Sequence, residues 1–114
     1  MFILKTHKDL FVWKDAIDLV EEVYDITSYF PQNEVYGLVS QIRRSVVSVP
    51  SNIAEGAARG SKKDFKRFLY IALGSLSEVE TQMIIAKRLG YTSKSLDSEL
   101  IKIRKMILGL IRKL

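Results

Sequence analysis

The densest group of chemically capable side chains in the sequence is cationic and lies near the middle of the chain. It comprises five residues, which we call the basic cluster: Arg59, Lys62, Lys63, Lys66 and Arg67. Cations at this density attract the phosphates of nucleic acids without reading the bases. The alternative is a solvated helix start. A helix dipole disfavours cations at its N-terminus, however, so Lys62 and Lys63 favour a binding role.

The charge of the whole chain is unevenly distributed. Residues 1–60 carry six Lys or Arg and eight Asp or Glu, whereas residues 61–114 carry twelve and five, within a formal net charge of +5. This asymmetry favours a polyanionic partner, although a basic surface that serves only solubility is the alternative. Lys102 and Lys105, on the polar side of the last amphipathic segment, complete the predicted nucleic-acid-binding residues.

Few residues are suited to catalysis or to metal binding. The chain has one histidine, His7, and no cysteine, so it has neither a thiolate metal site nor the Glu-x-x-His pairs of a di-iron bundle. The acidic candidates Glu55, Glu78 and Glu80 could hold a metal or form an acid–base pair. Neighbouring arginines favour ion pairs or caps instead. We therefore expect a non-enzymatic protein without a cofactor or a metal.

Four amphipathic segments position these residues. Apolar side chains recur at helical spacing over four ranges: 10–29, 34–55, 62–89 and 95–114. Four helices with short connections predict an all-α, antiparallel up-down-up-down four-helix bundle, with residues 1–114 as a single domain. Ser61 and Asp64 form a capping box at the start of the third helix, and Gly90 is suited to end it.

The second segment contains a proline in its interior. Pro50 removes the amide that would bond to the Val46 carbonyl, which predicts a kink or a local break near Ser48. The Ser48 hydroxyl could then cap the resumed helix. At the start of the same helix, Asn33 is the predicted cap.

Neither a membrane span nor a leader is predicted. Every apolar run is shorter than a bilayer-spanning helix requires. The start of the chain, residues 1–5, has too short an apolar run for a secretory signal. We expect a cytoplasmic protein.

The second and third helices carry more apolar and small polar surface than one small bundle can bury. The third helix has apolar residues such as Tyr70 and Ile84 away from its core positions, and the second has a face of small polar residues. Isolated surface hydrophobes are normal, but their clustering predicts self-association. The predicted subunit-contact residues are Gly37, Gln41, Arg44, Ser48, Asn52, Glu55, Gly74, Ser75 and Glu78.

An ordered set of motifs covers residues 10–91. They are Leu10-x-Val12-Trp13-x-x-Ala16, Phe30-Pro31-x-x-Glu34-x-Tyr36-Gly37-Leu38, Gln41-Ile42-Arg43-Arg44, Ser48-Val49-Pro50-Ser51-Asn52-Ile53-Ala54-Glu55-Gly56, Phe65-x-x-Phe68-Leu69-x-x-Ala72-x-Gly74-Ser75-Leu76-x-Glu78-x-Glu80-Thr81 and Leu89-Gly90-Tyr91. This composite resembles the bacterial four-helix-bundle family that is named for proteins encoded in intervening sequences of large-subunit ribosomal RNA genes. Ser45 and Val47 depart from the usual pattern, in which alanines are commoner.

The resemblance implies a ring-like homopentamer in the bacterial cytoplasm, with links to RNA biology and no catalytic residue. A similar branch, the accessory proteins of diversity-generating retroelements, implies a positive surface that binds nucleic acid and a reverse transcriptase. Two functions therefore stay open. One is an RNA-binding or other nucleic-acid-binding module that acts through its basic surface. The other is an accessory or scaffold subunit for a protein partner such as a reverse transcriptase.

Overall fold

The computed structural model describes His7 and residues 10–114 of the chain, so residues 1–5, for which no leader was expected, lie outside the described part. The described residues form four α-helices: α1 (Phe11–Thr27), α2 (Leu38–Ala58), α3 (Lys62–Arg88) and α4 (Asp97–Lys113). A short 3₁₀ turn covers Gln32–Glu34. Consecutive helices pack together, and α1 also packs on α4, which closes the bundle. The predicted up-down-up-down four-helix bundle is confirmed.

One apolar stripe from each helix forms the core, as the helical spacing predicts. The largest fully buried side chains come from all four helices: Leu19, Ile42, Ile53, Leu69, Leu76, Leu100, Ile103 and Ile107. The pairing of α2 with α3 is the most extensive in the bundle. None of the helices in the described ranges is both long enough and apolar enough to cross a membrane.

Helix α2 begins at Leu38, later than the predicted residue 34, and Asn33 is not its cap. The carboxylate of Glu34 takes that role, because its Oε1 accepts a hydrogen bond from the backbone N–H of Leu38 at 3.2 Å. Its Oε2 accepts a hydrogen bond from the hydroxyl of Tyr91 at 2.8 Å. A side chain that reaches forward over a turn thus satisfies an amide donor at the start of the helix.

Helix α2 continues without interruption through Pro50, so the predicted local break is wrong. Val46 and Val49, in the turn before Pro50, are fully buried, and this packing outweighs the single backbone hydrogen bond that proline removes. Ser48 caps no helix. Its hydroxyl oxygen lies 2.8 Å from the hydroxyl oxygen of Ser75 in α3.

The predicted C-terminal signal of α3 is confirmed, and the Ser61 half of the predicted capping box is present, whereas the Asp64 carboxylate lies 3.9 Å from Nε of Arg67. The Ser61 hydroxyl oxygen accepts a hydrogen bond from the backbone N–H of Asp64 at 3.1 Å. At the other end Gly90 has φ of 80°, and the N–H of Tyr91 donates to the Ala86 carbonyl at 2.9 Å. This is the Schellman arrangement, which favours glycine because it needs a left-handed residue.

Candidate nucleic-acid interface

The basic cluster lies at the end of the bundle where α2 turns into α3. Arg59 directly follows the last residue of α2, and Lys62 and Lys63 open α3. Gly60, with φ of 79°, allows the chain to reverse between them. The side chains are exposed except for Lys66, which is half-buried. The structure therefore gathers at one end of the bundle all five residues that the sequence indicated.

Two guanidinium groups of the cluster cover a single aromatic ring. The Cζ atoms of Arg59 and Arg67 lie 5.0 and 4.5 Å from the ring centroid of Phe68, which is within cation–π range. Phe68 is buried, although it is not part of the main apolar core. We infer that the arginines shield it from water. A guanidinium has five N–H donors, so stacking leaves donors for an anion.

Phe68 can occupy this position because residue 56 of α2 is glycine. A Cβ atom at Gly56 would lie 2.6 Å from the Cβ of Phe68 and 3.3 Å from the carbonyl oxygen of Phe65. The two helices therefore approach each other closely under the basic cluster. Sequence reasoning missed this support, because no local pattern shows which aromatic residue of α3 faces the end of α2.

Two carboxylates pair with the arginines of the basic cluster. The Nη2 atom of Arg59 lies 2.6 Å from Oε2 of Glu55, and this hydrogen bond raises the pKa of Arg59. The Nε atom of Arg67 lies 3.9 Å from Oδ1 of Asp64. Such exposed pairs are weak. In the part of the chain that the structure describes, the three lysines of the cluster have no carboxylate within ion-pair distance.

The structure places Lys102 in acidic surroundings, apart from the basic cluster. Its Nζ lies 3.3 Å from Oδ2 of Asp15, in a groove between α1 and α4 that Asp18, Glu22 and Glu99 also line. Lys105 is exposed on α4. A nucleic-acid contact by Lys102 or Lys105 stays a prediction.

Glu22 and Glu99 interact across this acidic groove. Burial raises the pKa of Glu22, and the hydrogen bond and charge of Glu99, followed by the charge of Asp18, raise it further. Hydrogen bonds from Ser98 and then with Glu22 lower the pKa of Glu99. The arrangement therefore favours a single proton held by Glu22.

This carboxyl pair should make a pH-dependent contribution to stability. As pH falls from neutral through the raised pKa of Glu22, the folded chain binds a proton that the unfolded chain still lacks, so the free energy of unfolding rises. At lower pH the protonation of Glu99, with its lowered pKa, has the opposite sign. Urea unfolding between about pH 7 and pH 4 should show the rise in the free energy of unfolding that comes from Glu22 in the wild-type chain but not in Glu22→Gln. An equal rise in the variant would contradict this assignment.

The remaining acidic candidates take part in ion pairs or face solvent. The Oε1 atom of Glu80 lies 3.2 Å from Nη2 of Arg104 in α4, and Glu55 pairs with Arg59 as described. Glu78 is exposed. No group of three or more potential ligands that could hold a metal occurs among the described residues.

The predicted subunit-contact residues differ in their surroundings. Ser48, Asn52 and Ser75 already bond to one another between α2 and α3, since Asn52 Nδ2 donates to the Ser48 hydroxyl at 2.8 Å and Ser48 contacts Ser75. Gly37 lies beside the Glu34 carboxylate. Four others are exposed: Gln41, Arg44, Glu55 and Glu78. Whether these residues contact a second subunit stays a prediction.

Gly74 is an open position on α3. Among the described residues, no atom lies within 4 Å of the position that its Cβ would take, and the glycine forms a shallow groove with Ser77, Glu78 and Thr81. Large apolar side chains of α3 are also exposed: Tyr70, Ile71, Ile84 and Ile85. Helix α3 therefore has apolar surface that its own bundle leaves uncovered.

Comparison with known proteins gives one result. A family model for the 23S rRNA-intervening sequence protein matches residues 8–109. The match includes the basic cluster and all four helices apart from the end of α4. No curated protein matches the chain.

Proposed function

The chain belongs to the 23S rRNA-intervening sequence protein family, and we propose that it is a cytoplasmic, non-enzymatic protein that binds RNA or another nucleic acid through its basic surface. The family expected from the motifs is thus confirmed, and this is not a known enzyme family. The observation that carries the proposal is the basic cluster. The cluster combines three lysines that pair with no carboxylate of the described chain and two arginines that stack on Phe68.

The geometry of the cluster favours contact with phosphates over contact with bases. The ring of Phe68 is covered by the two guanidinium groups, so it offers no free face on which a base could stack. Flexible lysine side chains provide point charges for a nucleic-acid backbone. Binding should therefore be sensitive to salt and largely indifferent to sequence.

We propose further that the protein works as a homo-oligomer. The oligomer that we propose is the homopentamer that the family resemblance implies. The exposed apolar residues of α3 and the open groove at Gly74 support this assembly, because a second copy would cover surface that one bundle leaves in water. Several copies would also present several basic clusters to one nucleic acid, which increases avidity.

The proposal predicts that Lys62→Gln/Lys63→Gln weakens RNA binding. Fluorescence anisotropy with a structured RNA should show the wild-type affinity falling as salt rises, and the double variant should lower the log–log salt slope by about 2. The matched control is Lys87→Gln/Arg88→Gln, which removes two exposed charges from the opposite end of α3. It should retain nearly all of the affinity.

Three outcomes would contradict this function. The first is an affinity that does not change between low and moderate salt, and the second is the absence of binding at micromolar protein. The third is an equal loss in the double variant and its control, which would show that only total charge matters.

The exposed apolar side chains of α3, such as Tyr70 and Ile84, favour a second candidate function. In this alternative the protein is an accessory or scaffold subunit that binds a protein partner, such as a reverse transcriptase, through that surface. Purification from the host at high salt would then recover a stoichiometric protein partner and no nucleic acid. Recovery of RNA with no protein partner would contradict it.

A further inference from the structure

The last turn of α4 carries two more cations that the sequence reasoning left out of the binding surface. Arg112 and Lys113 are exposed, and neither forms an ion pair with another described residue. Because the helices alternate in direction, this end of α4 lies at the same end of the bundle as the start of α3. The antiparallel fold therefore unites basic residues that are far apart in the sequence.

The register between α3 and α4 shows how near these cations come to the basic cluster. The ion pair between Arg104 and Glu80 aligns the two helices. With a rise of about 1.5 Å per residue, Arg112 lies opposite position 72 of α3, only about 9 Å along the axis from Lys66. The distance is within the combined reach of two long side chains.

Lys62 and Lys66 also lie on the side of α3 that faces α4. At about 100° per residue, both positions project within about 40° of Glu80, the residue that pairs with α4. On α4, Arg112 projects about 80° from Arg104 and is exposed, so it lies towards solvent on the side of α4 that borders α3. Basic residues therefore extend from the basic cluster at the α2–α3 joint to the end of α4.

The start of α1 completes this end of the bundle. Lys113 lines a groove with Leu10 and Phe11, and the Nζ of Lys14 lies 5.6 Å from the ring centroid of Phe11. Helices α1, α3 and α4, together with Arg59 directly after α2, therefore contribute cations here. Two carboxylates at this end, Glu55 and Asp64, pair with Arg59 and Arg67. At the opposite end four acidic residues lie among three cations: Asp25, Glu34, Asp97 and Glu99 with Lys87, Arg88 and Lys94.

From this arrangement we infer that Arg112 and Lys113 are nucleic-acid-binding residues and that the phosphate backbone docks across the whole end of the bundle. The inference rests on the proposed function and identifies a second part of its binding surface. Phosphates that contact the start of α3 can then continue towards the end of α4. The start of α3 alone would offer a smaller footprint and a weaker salt dependence.

The test compares Arg112→Gln/Lys113→Gln with Lys87→Gln/Arg88→Gln. Each double variant removes one arginine and one lysine from the last turn of a helix, so the change in net charge and the lost dipole interaction are matched. With a structured RNA at about 0.1 M salt, we expect the first variant to bind roughly tenfold more weakly and its salt slope to fall by about 2. The control should change less than about twofold.

Light scattering and urea unfolding should first show that both variants keep the wild-type assembly and lose the same small amount of stability. Equal losses for the two variants, or no loss in either, would overturn the inference. If the wild-type protein binds RNA and only Lys62→Gln/Lys63→Gln weakens it, the proposed function holds and this inference fails. If the wild-type protein does not bind RNA, the proposed function itself fails.

Discussion

Replacing Gly56 with alanine is expected to lower the free energy of unfolding by about 1–3 kcal/mol, although alanine is the better helix former. The added Cβ would lie 2.6 Å from the Cβ of Phe68, closer than two such atoms approach in folded proteins. Neither this atom nor the carbonyl of Phe65 is the flexible end of a side chain, so α2 and α3 must move apart. Urea unfolding at neutral pH measures the effect.

The loss should extend to RNA binding, because Phe68 holds the guanidinium groups of Arg59 and Arg67. The control is Gly109→Ala in α4, where no atom of the described chain lies within 4 Å of the new Cβ. That variant should gain about 0.5–1 kcal/mol from helix propensity alone. If Gly56→Ala is stabilised to the same extent, the close approach of the two helices is not what requires glycine.

Gly74→Leu is expected to disperse the homo-oligomer while the chain stays folded. The described part of the bundle has no atom within 4 Å of a Cβ at this position, so a longer side chain can extend over the open groove, and leucine improves the helix propensity of α3. In a packed subunit contact, the same side chain would displace the neighbouring copy. Multi-angle light scattering should give the mass of the assembly for the wild type and a lower mass for the variant.

Gly109→Leu provides the matched comparison, because it also places leucine at an open glycine within a helix. It lies outside the predicted contact residues, and its mass should equal that of the wild type. Circular dichroism should show a helical chain for both variants. A wild-type protein that is monomeric at working concentration would contradict the proposed assembly, and so would an unchanged mass for Gly74→Leu.

The ends of α3 could be predicted from the sequence because their signals are local. Ser61 and Gly90 act on backbone groups within a few residues of themselves. The start of α2 and its passage through Pro50 could not be predicted in this way. The carboxylate of Glu34, which reaches forward over a turn, determines the start of α2. The burial of Val46 and Val49 keeps the helix continuous through Pro50.

The candidate site was predictable to the extent that its residues are neighbours in sequence. The five members of the basic cluster lie within residues 59–67, so their closeness in the sequence was enough to identify them. The support from Phe68 depends on which residues of α2 and α3 meet across the bundle. The pairing of Lys102 with Asp15 depends likewise on the register of α4 against α1, which amphipathic periodicity does not specify.

Trp13 is the only tryptophan of the chain and lies in the first turn of α1, at the cationic end of the bundle. The His7 ring packs edge-on against its indole, with 5.0 Å between the ring centroids. Indole emission responds to the polarity and charge around the ring. The protein therefore carries a native optical reporter beside the surface proposed to bind RNA, and titrations can be followed without a dye.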